Sequence, residues 1–339
     1  MGMRICIIKL GALGDVLRTT PLLYALKKKY DPCYITWVTD IKAIDILKEN
    51  PLIDKVLPYT PSTILNFQVV AFDILINLDK AVEACALASI TKAADKFGFG
   101  LNQYGTICPL NKKAEYAFRL GISNELKFFK NTNTYQEIIF DVCGLKYNRE
   151  PYIINIPKDD YSYVQSVFRK NGINKKRLTI GLNTGSGAVF KTKRWTTSGF
   201  ATLSDMLSEK LGACVILLGG ADETERNSQI YNLTRIKPVN IGTDHSLTRF
   251  AAIISLCDLL VTGDTLALHL AIGLKVSTVA IFTSTCAQEL DLYTRGVKLI
   301  PPVSCAPCYK GYCKEMKCAK SIKPVSVFDA CLKIMKRIS

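Results

Sequence analysis

The chain has 339 residues, 48% of them hydrophobic, and a formal net charge of +15, so it exceeds the size of one usual domain and can bury more than one core. These values exclude a chain that is mainly disordered, and the charge suits an anionic partner: a nucleic acid, a lipid surface or a phosphorylated substrate. No run approaches the ~18 apolar residues of a membrane span. The N-terminal apolar stretch, broken by Lys9 and Asp15, lacks a signal-peptide cleavage pattern, so we expect a cytoplasmic protein.

The first half of the chain alternates short apolar runs with helical patterns. The apolar runs are Arg4–Leu10, Tyr34–Thr39, Lys55–Pro58 and Phe72–Leu78. The helical patterns are a stretch ending near Lys29, then Ile44–Glu49, Ala81–Lys92, Tyr116–Leu120 and Tyr135–Cys143, with a loop over Asn124–Thr134. Such alternation predicts a parallel sheet covered by helices.

The second half repeats this alternation more clearly, after a polar, basic turn at 171–177 that we take as the domain boundary. Its predicted strands are Thr179–Asn183, Cys214–Leu218, Val239–Ile241, Leu259–Thr262 and Ser277–Phe282. Its predicted helices are Tyr161–Asn171, just before the turn, then Phe200–Lys210, Thr224–Thr234, Leu247–Ser255, Leu268–Gly273 and Val325–Ile338. The sequence therefore predicts two Rossmann-like halves in tandem, which bind ligands at the carboxyl ends of their strands.

One stretch, 261–274 (VTGDTLALHLAIGL), joins an apolar run to the start of a helical pattern. The free N–H groups of a helix start, with the positive end of the helix dipole behind them, suit an anion. Asp264 and Thr265 are good N-cap residues, and His269 lies on the same helical face as Thr265. A capped helix whose histidine packs in the core is the alternative, and this stretch alone leaves it open.

The first strand-to-helix turn, 9–15 (KLGALGD), lacks the G-x-G-x-x-G spacing of dinucleotide sites and disfavours a nicotinamide cofactor. Asp15 stands where the first helix begins and can accept a proton from a hydroxyl nucleophile. Its alternative role is that of an N-cap carboxylate.

A second loop, 183–187 (NTGSG), follows a strand and precedes the basic residues Lys191, Lys193 and Arg194. Small residues let backbone amides approach a phosphate, and lysine adds a mobile positive charge, although the P-loop spacing is absent. An ordinary basic surface loop is the alternative. In a third strand exit, Glu223 can bind sugar hydroxyls or can only favour the start of the helix that follows.

Four cysteines near the C-terminus, Cys305, Cys308, Cys313 and Cys318, are spaced C-x2-C-x4-C-x4-C, and only the first pair has zinc-knuckle spacing. We expect buried or loop thiols there, with a zinc-stabilised interaction module as the alternative. The total of thirteen cysteines is odd, which favours a reducing compartment over a disulfide framework.

Nucleic-acid-binding signatures are not visible in the sequence: it has no helix-turn-helix, RNP-type strand or zinc-finger spacing. We therefore expect no nucleic acid as partner. The lysine-rich tail around the four cysteines suits an anionic membrane surface better.

Several motifs, taken in order, resemble those of the heptosyltransferases, the ADP-heptose:lipopolysaccharide glycosyltransferases of family 9. The matching pieces are I-I-K…G-D-V-L…P (7–21), K-R-W (193–195) for K-x-W, Gly219-Gly220 with Glu223, D-T…H-L-A (264–271) and C-x-P-C (305–308). They span nearly the whole chain. Leu266 stands where the family pattern D-[ST]-G-x-x-H-x-A has glycine, and 282–285 reads F-T-S-T in place of an F-G-P-T-type turn.

The resemblance implies a GT-B fold, in which two Rossmann-like parallel-sheet domains face a central cleft. Residues 1–172 would then bind the acceptor, 173–323 would bind the nucleotide sugar, and a helix at 324–339 would cross back to the first domain. The resemblance also implies an inverting single displacement that needs no metal and with which Mg²⁺ is compatible.

By position in the family motifs, the resemblance implies that Asp15 would be the general base for the acceptor hydroxyl, and that Lys193, with the amides around Thr265, would stabilise the diphosphate leaving group. Glu223 would bind the nucleoside ribose, and Asp264 and His269 the sugar or phosphates. The other expected contacts are Thr184, Gly185, Ser186 and Leu266 for the donor, and Gly14 and Arg18 for the acceptor.

The sequence therefore predicts a cytoplasmic glycosyltransferase, peripheral on the inner membrane. It would move heptose or a related sugar from a nucleotide-sugar donor, with ADP-heptose as the first choice, to the lipid A–core oligosaccharide. The alternative is a family member that binds nucleotide sugars without catalysis.

Overall fold

A computed structural model describes residues 2–174 and 176–338, and for residue 338 it describes the backbone alone. The chain divides into two compact units, Met1–Asn155 and Ile156–Ser339. The sequence-based boundary after residue 172 therefore differs from this division, which comes before the helix at 158–170 rather than after it.

The first unit is a six-stranded sheet with helices between its strands. Its strands are β1 (Met3–Ile8), β2 (Cys33–Thr39), β3 (Lys55–Pro58), β4 (Ala71–Asn77), β5 (Lys92–Leu101) and β6 (Ile107–Pro109). Its helices are α1 (Leu13–Thr19), α2 (Leu22–Lys29), α3 (Ile44–Leu47), α4 (Pro61–Val69), α5 (Val82–Ile90), α6 (Ala114–Ile122) and α7 (Tyr135–Val142).

The strands of the first unit lie in the order β3-β2-β1-β4-β5-β6, and all pairs are parallel except β5 with β6. Strand β1 is central because its apolar run, Ile5 to Ile8, is fully buried between helices on both faces, as interior parallel strands require. The strand order switches at β1: β2 and β3 are added on one side of it, and β4 and β5 on the other.

Two details of the first unit differ from the sequence prediction. The single helix expected to run to Lys29 is two helices, α1 and α2, because Pro21 lies between them and cannot donate the hydrogen bond that would continue α1. The loop expected at 124–134 contains a π-helical turn, Leu126–Lys130.

The second unit repeats the same strand order with all pairs parallel, β12-β11-β10-β7-β8-β9. Its strands are β7 (Thr179–Asn183), β8 (Cys214–Leu218), β9 (Val239–Asn240), β10 (Leu259–Gly263), β11 (Ser277–Ile281) and β12 (Gly296–Leu299). Its helices are α8 (Lys158–Lys170), α9 (Thr197–Leu211), α10 (Thr224–Leu233), α11 (Leu247–Ser255), α12 (Leu266–Gly273), α13 (Lys317–Ser321) and α14 (Pro324–Ile338).

The C-terminal helix α14 contributes to the core of the second unit. It packs against α9, β11 and β12, and Val327, Phe328, Cys331 and Ile334 are buried in the same apolar cluster as Trp195. Helix α8 likewise packs against α11, which explains why the division of the chain precedes it. A crossing of α14 to the first domain stays a prediction.

Candidate active site

In the first unit, Asp15 lies in the first turn of α1, directly beyond the carboxyl end of β1. Its side chain is 35% exposed, and its Oδ1 accepts an ion-paired hydrogen bond from Arg18 Nη2 at 2.9 Å. The guanidinium of Arg18 lies 3.8 Å from the ring centre of Tyr135, and the backbone carbonyl of Arg18 accepts a hydrogen bond from Gln136 Nε2. The partly exposed carboxylate is therefore fixed in direction and still open to a substrate. The predicted contact Gly14 is buried beside it.

A buried ion pair lies beneath the turn that carries Asp15. Lys9 Nζ is 3.2 Å from Asp79 Oδ2, and the two residues are 5% and 8% exposed. Asp79 Oδ2 also accepts the backbone N–H groups of Leu10 and Gly11, and Oδ1 accepts that of Ala81. One carboxylate therefore joins the loop after β4 to the loop after β1.

The charges of this pair stabilise each other. Burial alone would raise the pKa of Asp79, but the charge of Lys9 and hydrogen bonds from Ala81 and Gly11 lower it below its usual value. Burial alone would lower the pKa of Lys9, but the facing Tyr135, Asp15 and Asp79 raise it. The charged form of Lys9 is therefore favoured, in part by Asp15, and sequence reasoning gave Lys9 no role.

In the second unit, Lys193 and Asp264 lie together where β10 ends. Lys193 Nζ is 3.3 Å from Asp264 Oδ2, and their side chains are 22% and 15% exposed. Gly263 allows this approach, because a Cβ there would lie 2.9 Å from the backbone oxygen of Lys193. Two residues that are far apart in sequence and that we predicted to act on one donor thus form an ion pair.

Helix α12 begins directly after this pair. Thr265 is its N-cap residue, but the side chain makes no capping hydrogen bond; its hydroxyl instead contacts Asn183 Nδ2 and Thr262 Oγ1, each at 3.2 Å. The predicted N-cap position of Thr265 is therefore confirmed, although its side chain makes no capping hydrogen bond. A helix N-terminus of this kind suits an anion. Leu266, half-buried, is the first helical residue, so the missing glycine leaves the backbone in ordinary helical geometry.

His269 lies on the buried side of α12, and the residue is 5% exposed. It lies four residues after the N-cap residue Thr265, and its burial favours the alternative in which it packs in the core. A direct contact of His269 with a donor stays a prediction.

The carboxylate of Glu223 accepts several hydrogen bonds from neighbouring residues. The residue is 4% exposed; Oε1 accepts from Gly187 N and Arg194 Nη2, and Oε2 accepts from Gly220 N. A Cβ on Gly185 would lie 2.0 Å from the Glu223 side chain, so only glycine fits there. The carboxylate therefore joins the loops after β7 and β8, and its predicted contact with ribose stays a prediction.

The other residues of the β7 loop are held from within the unit. Thr184 Oγ1 donates to Asn227 Oδ1 at 2.5 Å, and its carbonyl accepts from Arg226 Nε at 2.8 Å. Ser186 Oγ donates to the carbonyl of Phe190 at 2.7 Å. Burial and the neighbouring Arg194 lower the pKa of Arg226 to about 10, against the opposing effect of Glu223. Sequence reasoning missed Arg226, because in the sequence it is only a basic residue within the helix α10 and belongs to no motif.

The thirteen cysteines are all free thiols. Burial raises the pKa of Cys318, the innermost of the four C-terminal cysteines. Across residues 2–174 and 176–338, no group of three or more His, Cys, Asp or Glu side chains is arranged to hold a metal ion. Among the helices described, none is long and apolar enough to cross a bilayer.

Each unit is a Rossmann-like, mainly parallel sheet, and the two follow one another along the chain as in the GT-B fold. The model of the family "Glycosyltransferase family 9 (heptosyltransferase)" matches residues 66–319. The chain belongs to this family, and the predicted family and fold class are both confirmed.

Two curated relatives cover most of the chain. The lipooligosaccharide heptosyltransferase 2 of Campylobacter jejuni is 24% identical over 338 residues, which is 96% of each chain. The lipopolysaccharide heptosyltransferase 1 of Campylobacter coli is 25% identical over 88% of this chain and 89% of its own.

Two solved structures share the fold over nearly the full length. A family 9 glycosyl transferase from Veillonella parvula superposes with a TM-score of 0.79 at 22% identity, covering 99% of this chain and 98% of its own. The ADP-heptose lipopolysaccharide heptosyltransferase II of E. coli gives a TM-score of 0.72 at 15% identity, with 99% of each chain covered.

Proposed function

We propose that this glycosyltransferase moves heptose from ADP-heptose to a sugar hydroxyl of the lipopolysaccharide core. Family membership supports the reaction class, and the names of the relatives support the donor and acceptor. The observation that carries the proposal is the Lys193–Asp264 pair at the start of α12, where a lysine lies beside a helix N-terminus, two features that suit a diphosphate.

The chemistry follows from the two sites. The acceptor oxygen attacks the anomeric carbon of the donor while Asp15 takes the proton from that hydroxyl. The bond from the anomeric carbon to the phosphate oxygen breaks, and its electron pair leaves with the nucleoside diphosphate. Lys193 and the N-terminus of α12 stabilise the added charge. The attack comes from the face opposite the leaving group, so the configuration inverts.

Removal of the base tests the first half of this mechanism. We expect Asp15→Asn to lower kcat by about 10² to 10⁴-fold, because the amide cannot take the proton, with the donor Kd unchanged. The matched control is Asp45→Asn, which removes a carboxylate from an exposed ion pair with Lys48. An Asp15→Asn enzyme with full kcat would remove the residue from the mechanism.

Removal of the cation tests the second half. We expect Lys193→Ala to weaken donor binding and to lower kcat, since the lysine stabilises charge that grows in the transition state. Lys191→Ala, a change of the same charge at an exposed position two residues away, is the control. Equal donor Kd and kcat in both variants would exclude Lys193 from the site.

We also propose that no metal ion is obligatory, because Lys193 and the helix N-terminus supply positive charge to the leaving group. The support is the chemistry of the lysine, and the test is transfer in the presence of EDTA. Unchanged kcat is expected, and a loss that Mg²⁺ restores would refute this part of the mechanism.

We further propose that the enzyme works at the cytoplasmic face of the inner membrane. Ile122 and Phe129 are 71% and 72% exposed, and Lys127 and Lys130 belong to the same π-helical turn as Phe129. Exposed apolar side chains next to lysines are the means by which peripheral proteins bind anionic lipid. This surface is a stronger candidate than the lysine-rich tail that the sequence suggested.

Sedimentation with vesicles of phosphatidylglycerol or phosphatidylcholine tests this surface. We expect binding to phosphatidylglycerol only, weakened by Phe129→Ser. The control is Tyr104→Ser at another aromatic position, 82% exposed, in the β5–β6 turn. Equal binding by the two variants would show that Phe129 does not contact the membrane.

A further inference from the structure

The turn after β11, residues 282–285 (F-T-S-T), departs from the family pattern, and the proposed function gives it no role. It has threonine and serine where an F-G-P-T turn has glycine and proline, so it carries two hydroxyl groups that the pattern lacks. Thr283 and Ser284 are both buried. A buried hydroxyl is costly without a hydrogen-bond partner, so the partners of these two side chains show what the departure does.

Both hydroxyl groups bind Thr192, the residue before the proposed donor-binding lysine. Thr283 Oγ1 donates to the backbone carbonyl of Thr192 at 2.6 Å, and Ser284 Oγ is hydrogen-bonded to Thr192 Oγ1 at 3.0 Å. The carbonyl of Thr192 belongs to the peptide bond that Thr192 shares with Lys193. The turn therefore holds the backbone directly before Lys193, through side-chain bonds that glycine and proline could not make.

The loop that carries the C-x-P-C motif adds a third attachment. The hydroxyl of Thr192 also contacts the backbone carbonyl of Lys310. The backbone N–H groups of Cys308 and Tyr309 both donate to the carbonyl of Ser284, at 2.9 Å each. Thr192 is fully buried, so it lies where the loop after β7, the turn after β11 and this cysteine-bearing loop meet.

Lys193 depends on such attachments because its own segment is short. It ends a three-residue 3-10 turn, Lys191–Lys193, in which its N–H donates to the carbonyl of Phe190 at 3.0 Å. A turn of this length has little stability of its own, so contacts from other segments decide where its residues stand. The position matters, since a displacement of about 1 Å at a group that acts on the reaction can cost about 10²-fold in rate.

We propose that Thr192 is a positioning residue of the transfer reaction. Its carbonyl and its hydroxyl, held by the turn after β11 and by the cysteine-bearing loop, fix Lys193 where the lysine stabilises the leaving diphosphate. In this chain, the hydroxyl groups that replace glycine and proline therefore support the donor site. This inference rests on the proposed function, since it concerns the lysine of that reaction.

The test compares Thr192→Val, which removes the hydroxyl and keeps the branched shape, with Thr192→Ser, which keeps the hydroxyl. We measure kcat, the donor Kd and the melting temperature with ADP-heptose and deacylated lipopolysaccharide core oligosaccharide. The matched control is Thr234→Val at the end of α10, which removes a buried hydroxyl that donates to the carbonyl of Tyr231 at 2.7 Å. The wild-type enzyme is assayed first: no transfer with this pair refutes the proposed function, and the positioning inference falls with it.

Thr192→Val is expected to lower kcat by about 10- to 100-fold, because the displaced lysine stabilises the leaving group less well. Thr192→Ser should keep a kcat close to that of the wild type, and Thr234→Val should keep the wild-type kcat although its melting temperature falls. A loss of kcat in Thr234→Val as large as in Thr192→Val overturns the inference, because the loss then follows from any missing buried hydrogen bond. Wild-type kcat and donor Kd in Thr192→Val overturn it as well, as does a Thr192→Ser enzyme as slow as Thr192→Val.

The same substitution in a Lys193→Ala enzyme shows whether Thr192 acts through the lysine. We expect Thr192→Val to lower kcat and donor affinity no further once Lys193 is absent, so the two losses do not add. An equal fold-loss with and without Lys193 would show an independent effect and overturn the inference.

Thr283→Val keeps Thr192 itself intact and serves where Thr192→Val does not fold. It removes the bond to the carbonyl of Thr192 and should lower kcat in the same way. Unchanged kcat in Thr283→Val would refute the role of the turn.

Discussion

The buried pair of Lys9 and Asp79 gives a sharp prediction about stability. Removal of one partner leaves an uncompensated buried charge, which costs about 3–5 kcal/mol in general. When Lys9 is replaced, the carboxylate of Asp79 still accepts three backbone N–H groups. When Asp79 is replaced, the ammonium group of Lys9 loses its 3.2 Å contact with that carboxylate, so the two losses are unequal. We therefore expect Asp79→Asn to cost about 3–5 kcal/mol and Lys9→Met less, about 1.5–3 kcal/mol.

The double variant should lose less than the sum of the two single losses, by about 1–3 kcal/mol, since neither charge is then left alone. The assay is urea unfolding followed by tryptophan fluorescence. The chain has two tryptophans, and Trp37 is fully buried in the first unit, so a Trp195→Phe background makes the signal specific to that unit. The control pair is Lys48→Met with Asp45→Asn, an ion pair whose side chains are 45% and 54% exposed and whose loss costs about 0–1 kcal/mol.

The pH dependence of the same free energy follows from the directions of the pKa values. The folded-state pKa of Asp79 is lowered, so its contribution is present above the unfolded pKa of ~4 and is lost as pH falls through the lower folded value. The pKa of Lys9 is raised, so its contribution is present below the unfolded pKa of ~10.4 and is lost as pH rises through the folded value. Single losses that simply add, or a wild-type advantage over Asp79→Asn that does not diminish at all as the pH falls below ~4, would refute the coupling.

Two further changes test the second unit. Gly185→Ala should lower the free energy of unfolding by about 1–3 kcal/mol, because the new methyl group would overlap the Glu223 side chain; thermal unfolding that is unchanged would contradict the contact. Trp195→Phe should cost about 1–3 kcal/mol in urea unfolding, because the indole N–H donates to the buried carbonyl of Ile322 at 3.0 Å and phenylalanine cannot replace it. An equal loss in Trp195→Phe and in a variant of an exposed aromatic residue of the same unit, Tyr312→Phe, would show that this bond contributes nothing.

Much of the fold could be predicted because apolar runs flanked by turns specify buried parallel strands. The limits of β7, β8 and α11 agree with their predicted ranges to the residue. Strand β5 was missed because its sequence, KAADKFGFGL, has charges at one end and glycines at the other, and its residues are mostly half-exposed or exposed. Strand β12, four residues that include a glycine and a lysine, was missed as well.

The site could be predicted only in part. Asp15 and Asp264 follow strand ends, where the general rule for open sheets directs attention, and the structure brings Lys193, from the long loop after β7, to Asp264. The partners Asp79 and Tyr135 could not be found, because their contacts depend on strand order and helix packing that bring distant segments beside β1.

The hydrogen bond from the indole N–H of Trp195 to the carbonyl of Ile322 links the segment after Lys193 to the segment before α14. Trp195 lies two residues after Lys193, and Ile322 lies two residues before α14 begins. A displacement of the C-terminal helix α14 would therefore act, through this hydrogen bond, on the backbone that carries Lys193, the proposed donor-binding lysine.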